Sequence, residues 1–280
     1  MAALRFFYID VNVTGAHLTA IGRTLLARAS DDRPALLFGD RTWSYRELVA
    51  EGERRAALFD SLRDAGRPPH IGVLLNNVPD YLFWLVAGAI SRGVVVGINS
   101  TYRGSQLAQL IDHTDCQILV TSTDLTHLLD GAEHGIPADR VLIVDTPEHQ
   151  EALAAVTVPA ERAEPDDDDL YLLIFTSGST GLPKAVRCTQ GRIGRTGAHV
   201  SGIAQLTEAD VIYAPLPFFH AASLFTGWSS AVHTGIPIAT RAKFSTSGTF
   251  GDLRDFGATV MTYTGKVLNY ILTTPESPAD

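Results

Sequence analysis

Cysteine is nearly absent from this chain: among 280 residues there are only Cys116 and Cys188, far apart in sequence. That leaves no disulfide framework and no metal-ligand spacing, so no metal site is assigned from the sequence. A reduced, cytoplasmic setting is the default expectation. Positive charge is also short, with 22 Lys and Arg against 31 Asp and Glu and a net charge of −9. No broad basic face can form, which argues against general nucleic-acid binding but not against a small anion at one local site. Long apolar runs are missing too. The longest, "YLFWLVAGAISRGVVVGI" from Tyr81 to Ile98, is broken by Arg92 and Gly93. A membrane helix needs about 20 consecutive apolar residues, so a buried helix followed by a buried strand fits better. The opening "MAALRFFYID" has one Arg and a short apolar run, and does not read as a signal peptide. No internal repeat is visible.

What is present is ordinary globular material: 45% hydrophobic and 19% charged residues, enough for one large domain or two small ones. Ser44 with Glu47 reads as a capping box. Leu48, Ala56, Phe59 and Leu62 then recur at helical spacing up to Gly66. Ile71–Asn77 reads as a buried strand, Pro79–Ser91 as a helix and Val94–Ile98 as a strand. Ser105–His113 reads as a helix, Cys116–Val120 as a strand, Leu125–Leu129 as a helical turn and Val141–Val144 as a strand. The Asp-rich "EPDDDD" (Glu164–Asp169) reads as a solvated linker. After it come a strand at Leu170–Phe175 and a helix near Gln190–Gln205. Strands at Val211–Ala214, Ile236–Thr240 and Ala258–Tyr263 follow, with helices near Ala221–Val232 and Lys266–Leu272. Short apolar strands alternating with helices predict an α/β fold of layered parallel sheets wrapped by helices.

One stretch asks for a chemical reason. "LIFTSGSTGLPKAV" (Leu173–Val186) leaves a buried strand and runs through Thr176, Ser177, Gly178, Ser179, Thr180 and Gly181 to Lys184. Ligands sit at the carboxyl ends of strands in such sheets. The glycines let backbone approach a ligand, successive N–H groups can converge on an anion, and the hydroxyls and Lys184 add donors. A polyphosphate is the natural acceptor; the bland alternative is a flexible connector. The common phosphate loop is absent, because Pro183 precedes Lys184 and Ala185 follows it. "GRIGRTG" (Gly191–Gly197) does not match a dinucleotide fingerprint. The segment is expected to form a turn between a strand and a helix around Gly178.

"TSGSTGLPK" (Thr176–Lys184) resembles the signature of the adenylate-forming, AMP-binding superfamily. "RTWSYREL" (Arg41–Leu48), "VGINSTYRGSQLAQLIDHTDCQILVTS" (Val96–Ser122) and "PLPFFHAASL" (Pro215–Leu224) resemble family elements in order and spacing. "YTGKVLNYIL" (Tyr263–Leu272) resembles the very-long-chain and fatty-acid-transport branch of acyl-CoA synthetases. The resemblance covers nearly the whole chain from about His17. It implies a fatty-acid–CoA ligase using ATP, Mg2+ and coenzyme A: a carboxylate attacks the α-phosphate, pyrophosphate leaves, and a thiol displaces AMP. It implies that Thr176, Ser177, Gly178, Ser179, Thr180, Gly181 and Lys184 hold phosphates. It also places His220 near the acyl carboxylate as the catalytic candidate, against a plain structural role capping a helix. Ala221, Ala222, Leu224, Phe225 and Gly227 would face the acyl pocket.

The same resemblance implies a division into a 71–205 sheet unit carrying the phosphate loop and a second unit from 17–66 plus 211–280. Family elements such as Y-G-x-T-E and a C-terminal domain with a catalytic Lys do not occur before Asp280. Lys266 stands where the branch usually has Glu. The expectation is an incomplete N-terminal domain, inactive alone and left with an exposed apolar patch. Its expected partners are the carboxylate substrate, a complementing C-terminal chain or a second copy, and a peripheral membrane contact. A catalytically dead remnant binding nucleotide phosphate or a partner, and an adenylation domain loading a carrier protein, stand as alternatives.

Overall fold

The computed structural model describes residues 20–162, 164–176 and 184–273. Helix α1 spans Ile21–Leu26 and leads into a hairpin, β1 (Pro34–Phe38) and β2 (Arg41–Ser44). Helix α2 spans Tyr45–Leu62. Its start is the expected capping box: Ser44 Oγ accepts from Glu47 N at 3.2 Å, and Glu47 Oε2 accepts from Ser44 N at 2.7 Å. Then follow β3 (His70–Val73), α3 (Pro79–Ser91), β4 (Val94–Gly97), α4 (Gly104–His113), β5 (Ile118–Thr121), β6 (Val141–Ile143) and α5 (Pro147–Ala155). Strands β7 (Leu170–Thr176) and β8 (Lys184–Thr189) precede α6 (Gln190–Ile203), β9 (Ile212–Tyr213) and α7 (Ser229–Thr234). The described chain closes with β10 (Ile238–Thr240), α8 (Thr249–Asp255), β11 (Val260–Met261) and α9 (Gly265–Leu272).

The strands form two sheets. One has the order β6-β5-β3-β4-β7-β8, the other β11-β9-β10-β1-β2. All pairs are parallel except β7 with β8 and β1 with β2, so the α/β reading holds while each sheet is mixed at one edge. Strand alternation sorts the core. Ile71, Val95, Ile118, Val120, Leu172 and Ile174 pack inward with Trp84 of α3 and with Leu36, Ile212 and Ile238 of the other sheet. Their neighbours Val96, Leu119 and Leu173 turn to the opposite face, against Leu107 and Ile111 of α4. Both faces are covered, which is why these strands read as unbroken apolar runs. Each fully buried Val, Leu or Ile contributes about 1.5–3 kcal/mol. The large apolar side chains left exposed among the described residues are Val158, Ile203, Tyr270 and Leu272, the last two together on α9. No described helix is long and apolar enough to cross a membrane.

The β1–β2 hairpin was not anticipated. Its signal is the two-residue Gly39-Asp40 turn between "PALLF" and "RTWS", with Gly39 at φ 59°. The Asp run is not a free linker. Arg23 Nε donates to Pro165 O at 2.8 Å, Arg23 pairs with Asp167 at 3.5 Å, and Arg92 pairs with Asp169 at 2.6 Å. Gly191 N also donates to Asp167 O at 2.9 Å. The run therefore ties α1, the end of α3 and the start of α6 to the segment that leads into β7. Scattered arginines decide this, and the run alone could not reveal it.

Helix α5 packs on α2 and buries His149, whose two ring nitrogens lack hydrogen-bond partners. Burial, with the Arg55 guanidinium nearby, pushes its pKa from 6.5 down to about 4. The folded protein thus binds fewer protons than the unfolded chain between these values. Stability should be full above about pH 6.5 and fall by on the order of 2 kcal/mol on acidification to pH 4. Urea midpoints measured across this range should show His149→Phe with a flatter profile than the wild type. Parallel profiles would remove His149 as the cause.

Candidate active site

Strands β7 and β8 form an antiparallel pair whose register runs from Leu170–Thr189 to Thr176–Lys184. The expected turn from strand to helix is therefore corrected: the element after the Ser/Thr/Gly segment is a strand. "KAVRCT" suits an edge strand, with Cys188 buried while Lys184 and Arg187 are exposed. The helix begins only at Gln190, where Thr189 Oγ1 caps it by accepting from Arg192 N at 3.2 Å. Thr176 and Lys184 close the pair opposite each other, at the carboxyl end of β7. Ser177, Gly178, Ser179, Thr180 and Gly181 lie outside the described residues.

Beside this end sits a cavity of about 500 Å³. Its walls include Gly97 at the end of β4, Ile174 and Phe175 of β7, Phe219, His220, and Thr264 before α9. Ala221 and Ala222 also line it, whereas Leu224 is packed in the core and Gly227 faces Ala214, Ile238 and Thr262. Phe225 lies under the Arg192 guanidinium, 5.7 Å from its ring centroid. Apart from His220, no ionisable side chain except the Tyr102 phenol lines the cavity among the described residues.

The segment carrying His220 is held from both sheets. Asn77, which follows β3, is buried. Its Nδ2 donates to Leu216 O at 2.8 Å and to Thr240 Oγ1 at 3.3 Å, and its Oδ1 accepts from Phe218 N at 3.0 Å. The Phe218 ring lies against Tyr81, with centroids 5.6 Å apart. Gly97 lets Phe219 approach: a Cβ there would stand 3.0 Å from Phe219 Cα. His220 N donates to Pro217 O at 3.0 Å and Leu224 N to His220 O at 3.3 Å, so the turn feeds directly into a helical stretch. Ser223–Trp228 is π-helical, a geometry frequent at functional sites. Trp228 Nε1 anchors it by donating to the Tyr171 hydroxyl at 3.1 Å, which donates on to Leu85 O at 3.1 Å.

The His220 ring is exposed at the cavity wall and stacks on Phe219, with centroids 4.4 Å apart. Partial desolvation holds its pKa below the usual histidine value. The ring is then neutral at pH 7, and can accept or donate one hydrogen bond without adding a charge. Lys266 does not reach inward: its Nζ sits 5.8 Å from the ring centroid of Tyr270, one turn along α9. Sequence reasoning named His220 but missed Asn77 and Gly97, which position it. A buried Asn after a strand has a polarity signal but nothing in sequence that names its partners.

The fold matches that of the N-terminal domain of adenylate-forming enzymes. The chain belongs to the AMP-binding enzyme family, whose sequence profile matches residues 25–280. It is 43% identical over 94% of its length to the steroid-22-oyl-CoA synthetase of Rhodococcus jostii, covering 47% of that protein. It is 38% identical over 96% of its length to the medium/long-chain-fatty-acid–CoA ligase FadD17 of Mycobacterium tuberculosis, covering 52% of it. The chain thus spans about half the length of these curated relatives. Among solved structures it is similar to the inhibitor-bound N-terminal domain of FACL13 from Mycobacterium tuberculosis. That TM-score is 0.78 at 20% identity, covering 93% of this chain and 68% of the other.

Proposed function

We propose that this chain is the N-terminal part of an acyl-CoA synthetase that activates an apolar carboxylic acid with ATP and passes it to coenzyme A. The cavity carries the reading: its wall is mostly apolar, with His220, Asn99, Tyr102 and Thr264 as its polar side chains, and it begins one residue before Thr176. An acyl body would lie against Phe175, Phe219, Ala221 and Ala222. The carboxylate would point toward His220, whose neutral ring can hold it without fixing a strong ion pair. Thr176, Ser177, Gly178, Ser179, Thr180 and Gly181 would donate to the phosphates of ATP, with Lys184 adding positive charge as pyrophosphate leaves. The residue types fit that group: hydroxyls, backbone donors and one cation, at a strand end. Mg2+ would neutralise phosphate charge when bound. The relatives' names point to medium- or long-chain fatty acids and to a steroid-derived acid, and the charge-poor wall suits either.

The test is carboxylate-dependent exchange of labelled pyrophosphate into ATP. It is run with decanoate, palmitate and a steroid side-chain acid, first on residues 1–280 and then with the remainder of the protein supplied. No exchange is expected from residues 1–280 alone. In the complemented enzyme, Lys184→Ala should lower exchange on the order of 10²–10³-fold. Robust exchange by residues 1–280 alone would overturn the fragment reading. Exchange indifferent to Lys184→Ala would remove Lys184 from the phosphate site. No exchange after complementation would favour a remnant that only binds, and transfer to a carrier protein but not to coenzyme A would favour the loading domain.

A further inference from the structure

The cavity at His220 carries more polar side chains than a plain hydrocarbon acid can use. His220 is the partner assigned to the carboxylate. Asn99, Tyr102 and Thr264 remain, on a wall that is otherwise apolar. In ligand pockets a few polar groups on an apolar lining fix orientation and set specificity.

Asn99 and Tyr102 share one turn beyond β4. Tyr102 N donates to Asn99 O at 3.1 Å, and Thr101 N donates to Asn99 Oδ1 at 2.9 Å. Arg103 Nη1 donates to Ser100 O at 2.6 Å and to Tyr102 O at 2.7 Å, so the turn is held by its own contacts. The Thr101 bond takes the oxygen of the Asn99 amide and leaves Nδ2 as a donor. Among the described residues, neither Asn99 Nδ2 nor the Tyr102 hydroxyl has a hydrogen-bond partner. Both residues are half-buried, within reach of solvent. Thr264, at the end of the other sheet, holds the N-cap position of α9. Its hydroxyl makes no capping bond to that helix and is left to the cavity.

Water satisfies such groups while the cavity is open. An acyl body that fills the cavity displaces that water, and a saturated chain returns no hydrogen bond in its place. An acid with an oxygen along its body does return one. Building on the reading of this cavity as the acyl site, we propose that the acid it prefers is oxygenated. A hydroxyl or keto oxygen on the apolar body accepts from the Tyr102 hydroxyl and from Asn99 Nδ2.

Fluorescence titration tests this, with decanoate as the reference and two series of substituted decanoates. One series carries a single hydroxyl and the other a single keto group, moved from the fourth carbon to the ninth. At least one substituted acid should bind about tenfold more tightly than decanoate, and the better series identifies the group. Tyr102→Phe removes one hydroxyl at a half-buried position and should fold normally. It should reduce the advantage severalfold and leave decanoate affinity unchanged. Asn99→Asp keeps the acceptor for Thr101 N but no longer donates, so it should erase a preference for a keto acid. The ratio of substituted acid to decanoate is read within each protein, so a general loosening of the cavity cancels. Decanoate binding as tightly as every substituted acid overturns the proposal while the acyl reading stands. So does an advantage unchanged in folded Tyr102→Phe and Asn99→Asp. Binding of none of the acids, decanoate included, overturns the acyl reading and the proposal with it.

Discussion

Gly97→Val is expected to abolish binding of decanoate while leaving a folded protein. A Cβ at this position would stand 2.9 Å from the Tyr81 hydroxyl, 3.0 Å from Phe219 Cα and 3.1 Å from Phe219 Cβ. The first obstacle is a side-chain tip, but the second is backbone of the segment that carries His220. Valine adds two methyl groups beyond that Cβ, so the segment must move and the cavity at the end of β4 must close. Overpacking of this kind costs about 1–3 kcal/mol. A paired variant separates the two obstacles. Tyr81 is buried and its hydroxyl has no hydrogen-bond partner, so Tyr81→Phe alone should be nearly neutral. In Gly97→Ala it should recover part of the lost stability, because the hydroxyl contact is gone. It should not recover decanoate binding, because the Phe219 backbone still blocks. Thermal melts give the first quantity and fluorescence titration the second. Normal decanoate affinity in Gly97→Val would mean that the acyl group lies elsewhere.

The contrast between Gly97 and Ser44 shows where sequence was informative. Ser44 and Glu47 act on each other within one turn, so the start of α2 is written locally and was legible. The bounds of α3 were legible for the same reason: Pro79 can only begin a helix there, and Arg92 adopts a left-handed conformation at its end, with φ 58°. The alternation of Val94–Gly97 and Ile118–Thr121 was hidden, because both faces of the six-stranded sheet are covered. Only the α/β class could be read from such strands, not which residue faced which layer. Strand β8 was missed because six residues of mixed polarity at a sheet edge look like a connector until β7 supplies the pairing. At the site, His220 was found through its motif. Gly97 was not, since its job is to leave room for a segment 122 positions later. Long-range fit of this kind has no local spelling.

Asn77→Ala should destabilise the protein and loosen the segment that carries His220. The side chain is 4% exposed and spans the two sheets, from the end of β3 to Thr240 of β10 and to the backbone of Leu216 and Phe218. Alanine would strand the Phe218 N–H without a partner, whereas the Leu216 carbonyl still accepts from Ser223 Oγ at 2.7 Å. Thr240 is less affected, since its hydroxyl still donates to Ala214 O at 2.8 Å. A stranded buried group costs about 1–3 kcal/mol, or roughly 5 °C in melting temperature, and the loss of the two bonds Nδ2 donates adds to it. Asn77→Asp provides the discriminating comparison. It keeps the acceptor for Phe218 N–H but loses both donors and sets a carboxylate against the Leu216 carbonyl. If Asn77 only fills space, aspartate should be tolerated far better than alanine. If it works as a cross-sheet staple, aspartate should be at least as damaging at pH 7 and should regain stability on acidification, as the carboxyl takes up a proton and can donate again. The sign follows from burial without a cation partner, which raises a carboxyl pKa and makes the folded state the stronger proton binder. A melting temperature for Asn77→Ala within about 2 °C of the wild type would show that the His220 segment holds its place without this residue.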